Sequence, residues 1–207
     1  MARNESLYQA VYQGDQKAAE AAVLKALEDG EDVSQLLDES LIPAMKQIGD
    51  DFECGEAFVP EMLIAARSMG KALEHLKPLL GKSGVQPKGK ICIGTVKGDL
   101  HDIGKNLVGM MLEGAGYEVE DLGVDCAAEK FAQAVERGAT FVLLSALLTT
   151  TMPVMKDIVA YIKPKYPDVR ILIGGAPITQ EYSDAIGADG YGATASQAVG
   201  LVNGLVA

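Results

Sequence analysis

The chain has 207 residues, 48% of them apolar, enough for one large domain or two small ones with a real core. Its net charge of −11 argues against nucleic acid and anionic membrane surfaces as partners. No apolar run approaches the ~20 residues of a membrane span. The opening Met-Ala-Arg-Asn-Glu-Ser lacks the apolar core of a signal peptide, and Cys54, Cys92 and Cys126 make neither a disulfide framework nor a C-x-x-C zinc pair, so the expected location is the cytoplasm.

Residues 1–80 read as helical. Leu7, Tyr8, Val11 and Tyr12 form one short amphipathic turn. Asp15 can cap a second helix carrying Ala22, Val23, Ala26 and Leu27, which ends at Gly30. Ser34 can cap a third, with Leu36, Leu37, Leu41, Met45 and Ile48 as its apolar face, and Pro43 should kink it. After a break at Gly55–Glu61, Pro60 suits the first turn of a fourth helix bearing Met62, Leu63, Ala66, Met69, Leu73 and Leu76. Four helices with short loops predict an antiparallel bundle. Residues 81–90 have the Gly/Lys/Pro composition of a linker.

From residue 91 to 207 the period changes, and apolar runs alternate with helical patterns. The predicted strands are Ile91–Val96, Glu118–Leu122, Thr140–Ser145, Arg170–Gly174 and a weak fifth near Asp189–Tyr191. Helices are predicted at about 103–115, 127–137, 152–163, 180–186 and 195–206. Such alternation predicts an α/β domain, a doubly wound, five-stranded parallel sheet in the flavodoxin-like order 2-1-3-4-5.

The stretch Gly94 to Asn106 organises the chain. It leaves the carboxyl end of the first strand, where ligands sit in an open parallel sheet. It holds His101, one of only two histidines, with Asp99 two residues before it. A carboxylate so placed can orient one ring nitrogen and leave the other free for a metal. Read alone, His101 is a polar loop residue and Asp102 an N-cap. At the third strand end Ser145, Leu147, Thr149 and Thr151 read alone as a strand running into a cap. Gly174-Gly175 at the fourth strand end is a turn or a place of close backbone approach. Tyr191 to Ser196 adds small residues at the fifth. His75, near the end of the fourth helix, carries no assigned function.

Asp-x-His-x-x-Gly after a strand, with the longer string Gly94–Gly109, resembles the corrinoid-binding motif of cobalamin-dependent methyltransferases. It is similar to the cobalamin domain of methionine synthase and to the small corrinoid proteins of methanol, methylamine and methoxyaromatic methyl transfer. The resemblance spans roughly residues 10–207. It implies that His101 is the lower cobalt ligand of a cobalamin bound with its own base displaced. Gly98, Asp99, Leu100, Asp102, Ile103 and Gly104 would surround that ligand. Ser145, Leu147, Thr149, Gly174, Gly175, Tyr191 and Ala195 would line the cavity for the nucleotide tail. Thr151 stands where methionine synthases have a serine bonded to the motif Asp; it keeps the hydroxyl and adds a methyl. A branched side chain at Gly175 is then expected to cause a large loss of cofactor retention with the fold intact. The helical region resembles a cap, with Phe58 shielding the cobalt-bound methyl; read alone, Phe58 is equally a bundle-core residue.

The resemblance further implies a corrinoid methyl carrier, cycling between methylcobalamin and Co(I)-cobalamin and not active alone. A donor-specific methyltransferase would load it, and an acceptor methyltransferase would pass the methyl to tetrahydrofolate or a thiol. A corrinoid reductive activase is a further expected partner; nucleic acid and membrane are not. Alternative readings are a cobalamin-dependent sensor or regulator, which would add a basic DNA-binding segment and a cap Trp, and the small subunit of a corrinoid mutase. A nucleotide or flavin binder would need a G-x-G-x-x-G that the first loop lacks.

Overall fold

A computed structural model describes residues 3–83 and 87–206 of the chain. They fall into two compact units that divide between Pro87 and Lys88, with Gly114–Gly116 grouping with the first.

The first unit is helical. Helix α1 (Glu5–Tyr12) starts where the Asn4 side chain accepts the Leu7 N–H at 3.0 Å, and α2 (Gln16–Glu28) where Asp15 accepts the Ala18 N–H at 3.0 Å. The third cap is Asp32, not Ser34: its carboxylate accepts the Gln35 N–H at 3.0 Å, so α3 (Val33–Gln35) begins two residues earlier than predicted. It runs on as a π-helical stretch, Leu36–Leu41, and then as α4 (Ile42–Cys54). Pro43 lies in the first turn of α4, directly after the π-helical stretch, where its missing N–H and its ring weaken the preceding turn.

Helix α5 (Val59–Ser83) has Pro60 in its first turn, and Glu61 Oε2 accepts the Phe58 N–H at 2.7 Å in a capping-box contact. It continues past Pro78 through Ser83, because extending an existing helix fixes only one residue per added hydrogen bond. Both ends of the expected 81–90 linker thus lie in regular elements, since Lys90 opens the first strand; Gly84–Gln86 lie outside the described residues. Leu7, Val11, Val23, Leu36, Leu41, Met62, Met69 and Leu76 are buried in this unit, the apolar stripes that the helical spacing marks out.

The second unit is a parallel sheet of β1 (Lys90–Thr95), β2 (Glu118–Asp121), β3 (Phe141–Ser145), β4 (Arg170–Gly174) and β5 (Gly190–Gly192). Its order is β2-β1-β3-β4-β5, as predicted. Helices α6 (Ile103–Gly114), α7 (Ala128–Glu136), α8 (Met152–Ile162), α9 (Gln180–Ile186) and α10 (Ala195–Val206) follow the strands in turn. The inner strands are near-continuous apolar runs because both faces are covered, and one of the resulting cores gathers Phe131, Met155, Ile158 and Ile162 under β1 and β3. Val96 leaves the ladder and makes only an isolated bridge with Cys126, so β1 ends one residue short of the prediction. The chain winds outward from β1 in both directions. The switch point therefore lies between the carboxyl ends of β1 and β3, the crevice in which open α/β sheets bind ligands.

Candidate functional site

The loop from β1 to α6 is built by backbone hydrogen bonds before any side chain is considered. The Val96 N–H donates to the Ser145 carbonyl at 3.0 Å, fastening the loop to the end of β3. Gly98, at φ +85°, turns the chain, and the Asp99 N–H returns to the Val96 carbonyl at 3.1 Å. The buried Thr95 hydroxyl donates to the His101 carbonyl at 2.7 Å.

Asp99 is fully buried and accepts five hydrogen bonds. Its Oδ1 takes the His101 backbone N–H at 3.1 Å and ring Nδ1 at 2.7 Å. Its Oδ2 takes the Leu147 N–H at 2.8 Å, the Leu148 N–H at 3.2 Å and the Thr151 hydroxyl at 2.9 Å. Thr151 Oγ1 also lies 2.9 Å from the Leu148 carbonyl, but its single proton goes to the charged acceptor. Burial by itself raises the Asp99 pKa, yet the donors from Leu147, His101 and Thr151 outweigh it and hold the carboxyl well below the usual carboxylate range. An ionised carboxylate only accepts, so His101 Nδ1 carries the proton, and in the neutral imidazole Nε2 is the nitrogen with the lone pair. The His101 side chain is 51% exposed, and Nε2 has no hydrogen-bond partner among the described residues. Leu100 and Ile103 beside it are exposed, as are Leu147 and Leu148 across the switch point. Asp102 accepts the Asn106 side-chain amide at 3.2 Å and Asn106's backbone N–H at 2.8 Å through its carbonyl, which anchors the first turn of α6.

A cavity of about 320 Å³ opens at the carboxyl edge of the second unit. Of the predicted tail-cavity residues, Ser145, Gly174, Gly175 and Ala195 line it, and so does Gly104. Leu147, Thr149 and Tyr191 are not in its wall, and Tyr191 packs against the sheet core instead. Gly175 sits at φ +129°, and a Cβ there would lie 1.8 Å from the Ala146 carbonyl oxygen. The expectation that a branched residue at Gly175 spares the fold is therefore corrected. The glycine is demanded by backbone packing, whatever enters the cavity.

Lys105 also lines the cavity and was not singled out from the sequence. Its side chain is 2% exposed, and Nζ is held by Asp121 at 2.6 and 2.7 Å and by Asn106 Oδ1 at 2.6 Å. The legible signal was its place in a first helical turn, where the helix dipole disfavours a cation that lacks a carboxylate partner.

Phe58 is 64% exposed in the helical unit, which removes the bundle-core alternative. His75 Nε2 lies 3.1 Å from Glu20 Oε1, a hydrogen-bond contact within that unit. Cys92 and Cys126 are buried; burial pushes the Cys92 thiol up to about 12, so neither is poised as a nucleophile.

Among the described residues no group of three or more His, Cys, Asp or Glu could hold a metal ion. A single oriented imidazole instead suits a metal that brings its other ligands with it, and the adjoining cavity is open, mostly apolar and floored by glycine backbone. Those residues fit a corrinoid: one axial nitrogen for cobalt, exposed aliphatic side chains for a flat ring, and a cleft for a tail.

A doubly wound sheet with an oriented histidine and a cleft at its switch point defines a cofactor-binding α/β protein. Comparison with known proteins gives the particular family. Residues 89–200 match a family described as B12 binding domain, and residues 3–77 match a second of the same description. The chain is 40% identical over 205 residues to a corrinoid protein of Desulfitobacterium hafniense, covering 96% of this chain and 95% of that one. It is 41% identical over 193 residues to dimethylamine corrinoid protein 1 of Methanosarcina acetivorans, covering 90% and 91%. Its fold matches the methanol:cobalamin methyltransferase complex of Methanosarcina barkeri with a TM-score of 0.89 at 27% identity, over 98% of this chain and 79% of that one. A cobalamin-binding protein of D. hafniense matches with a TM-score of 0.80 at 28% identity, over the whole of both chains. The chain belongs to the B12-binding family and is a corrinoid protein related to those of methylamine and methanol methyltransferase systems. No helix among the described residues is long and apolar enough to cross a membrane.

Proposed function

We propose that this protein carries a methyl group on a bound corrinoid between two methyltransferases, with His101 Nε2 as the lower cobalt ligand. The carrying observation is the Asp99–His101 pair, in which Nδ1–H is fixed at 2.7 Å and Nε2 is left open. The bound corrinoid would supply the nucleophilic and methyl-donating chemistry of its cobalt. The chain's own part is narrower. Asp99 selects the tautomer, and the ends of β1 and β3 hold Asp99. Leu100, Ile103, Leu147 and Leu148 offer apolar surface to the ring, while Ser145, Gly174, Gly175 and Ala195 receive the nucleotide tail. Gly98, Asp102 and Gly104 shape the loop, and Thr151 braces Asp99.

Support for the partners comes from the relatives, whose names tie them to dimethylamine and trimethylamine corrinoid proteins and to a methanol:cobalamin methyltransferase complex. A donor-specific methyltransferase would load the carrier. A second enzyme would move the methyl to tetrahydrofolate or a thiol, and a reductive activase would rescue oxidised cofactor in the cytoplasm. Phe58 enters this reading as an exposed aromatic of the helical unit. Phe58→Ala should keep the melting temperature and speed photolysis of added methylcobalamin; an unchanged photolysis rate removes the shielding role.

The test of the central reading uses purified protein loaded with hydroxocobalamin and reduced to the Co(II) form. Electron spin resonance should show coupling to one histidine nitrogen, and His101→Ala should abolish it while retaining part of the corrinoid bands. Nitrogen coupling that persists unchanged in His101→Ala refutes the assignment.

A further inference from the structure

We infer that Asp125 is a positioning residue for the histidine loop, gripping Gly98 and Asp99 from the connection between β2 and α7. The inference rests on His101 being the cobalt ligand and goes beyond it, because Asp125 lies 24 positions past His101 in sequence and belongs to no part of the Asp-x-His-x-x-Gly pattern.

Three observations carry it. Asp125 has φ +52°, the one positive φ at a non-glycine position among the described residues. A non-glycine residue in that region needs a compensating reason. The reason is visible in its two hydrogen bonds. Its carboxylate Oδ1 accepts the Gly98 N–H at 2.7 Å, and its own N–H donates to the Asp99 carbonyl at 3.1 Å. Both partners stand in the short run that leads into His101, and the left-handed turn aims amide and carboxylate at the same strip of backbone.

The neighbouring residue extends the grip. The Cys126 N–H donates to the Thr95 carbonyl at 2.9 Å, and Val96 and Cys126 form an isolated parallel bridge. The β2–α7 connection thus runs beside the first half of the histidine loop as a rail. Asp99 is held from two sides: its side chain by Leu147, Leu148 and Thr151, its carbonyl by Asp125. Packing does not account for Asp125, which is exposed. It touches neither Nε2 of His101 nor the wall of the cavity, so its action passes through Gly98 and Asp99.

The experiment compares D125G, D125N and the parent protein, each loaded with hydroxocobalamin and reduced to the Co(II) form. Glycine keeps the backbone N–H and accepts φ +52° without strain, but lacks the carboxylate. Asparagine keeps an acceptor for the Gly98 N–H and tolerates the left-handed region. In D125G relief of the left-handed backbone should offset only part of the lost hydrogen bond, so the melting temperature should fall by only about 2–4 °C, while the nitrogen-coupled fraction should fall and corrinoid release should quicken about tenfold, the scale of one charge-assisted hydrogen bond. D125N should restore most of both readouts. His101→Ala, measured alongside, keeps the two ideas separable. If nitrogen coupling survives in His101→Ala, the ligand assignment fails whatever Asp125 does. If it is lost there and D125G matches the parent in coupling and release, the role of Asp125 is overturned and the ligand stands. Faster release that merely tracks a lowered melting temperature, unrescued by D125N, also overturns it.

Discussion

If His101 ligates cobalt as proposed, Asp99→Asn should weaken that ligation without unfolding the chain. The geometry dictates which way the amide turns. Three donors converge on Oδ2, from Leu147, Leu148 and Thr151, and two on Oδ1, both from His101. The single amide oxygen therefore takes the place of Oδ2, and the NH₂ group faces the histidine. There it meets the backbone N–H of His101 donor to donor. It also requires Nδ1 to accept, which moves the ring proton to Nε2 and replaces the ligating lone pair with N–H. Two charge-assisted hydrogen bonds are lost at about 1–2 kcal/mol each, a destabilisation of about 2–4 kcal/mol. The new amide-to-Nδ1 bond favours the wrong tautomer by about 1 kcal/mol, so ligation should weaken by about five- to tenfold. Thermal melting reads the first quantity. Nitrogen coupling in the Co(II) spectrum, at matched corrinoid loading, reads the second. Coupling of parental intensity in Asp99→Asn would refute the tautomer argument even if the protein melted early.

Three other changes test the same frame. Thr151→Val keeps the shape of the side chain but removes one donor to Asp99, and should cost about 1 kcal/mol, lowering the melting temperature by about 2–4 °C; no shift would mean the hydroxyl adds nothing to the two backbone donors. Gly175→Ala places a Cβ where the Ala146 carbonyl oxygen stands at 1.8 Å and strains φ +129°, so it should destabilise by about 3 kcal/mol or more, and melting at the parental temperature would show that the turn relaxes freely. Asp99 also predicts an acid limb. Its folded pKa is depressed, so its contribution to stability is whole above the unfolded carboxylate value of about 4 and is lost as pH falls below it. Urea midpoints of the cofactor-free protein should drop below about pH 4, and less so in Asp99→Asn; equal drops would place the acid sensitivity elsewhere.

The sheet was legible because buried parallel strands are continuous apolar runs, as in Ile91–Thr95 and Phe141–Ser145, and the alternation with helices leaves few topologies open. The histidine loop was legible through its spacing. The Asp99–Thr151 contact, expected from a hydroxyl that carries an added methyl, forms at 2.9 Å since the methyl does not block the hydroxyl's approach. What escaped depended on contacts distant in sequence. Asp32 caps in place of Ser34, and because either residue type suits the role the spacing alone does not separate them. Lys105 and Asp121 come together only once β1 and β2 pair, and Asp125 meets Gly98 only through the same pairing. The Gly175 requirement likewise comes from the carbonyl of Ala146, a neighbouring strand end that a one-dimensional reading cannot bring near.

The histidine loop is exposed and yet fixed, and that combination bears on binding. Leu100 and Ile103 are 72% and 74% exposed, while the backbone beneath them is tied to Ser145, Thr95, Asp125 and the Asp99 carboxylate. A free loop would have to be ordered when a flat ligand arrived, at about 1–2 kcal/mol per residue over Gly98 to His101. Here the ordering accompanies folding. Burying two aliphatic side chains of this kind against a ring is worth about 1.5–3 kcal/mol each, and none of that gain is spent on arranging the loop. The donors around Asp99 therefore do more than compensate a buried charge. They transfer the cost of shaping the loop from the binding step to the folding step, so on the proposed reading the residues after β3 serve the histidine through Asp99.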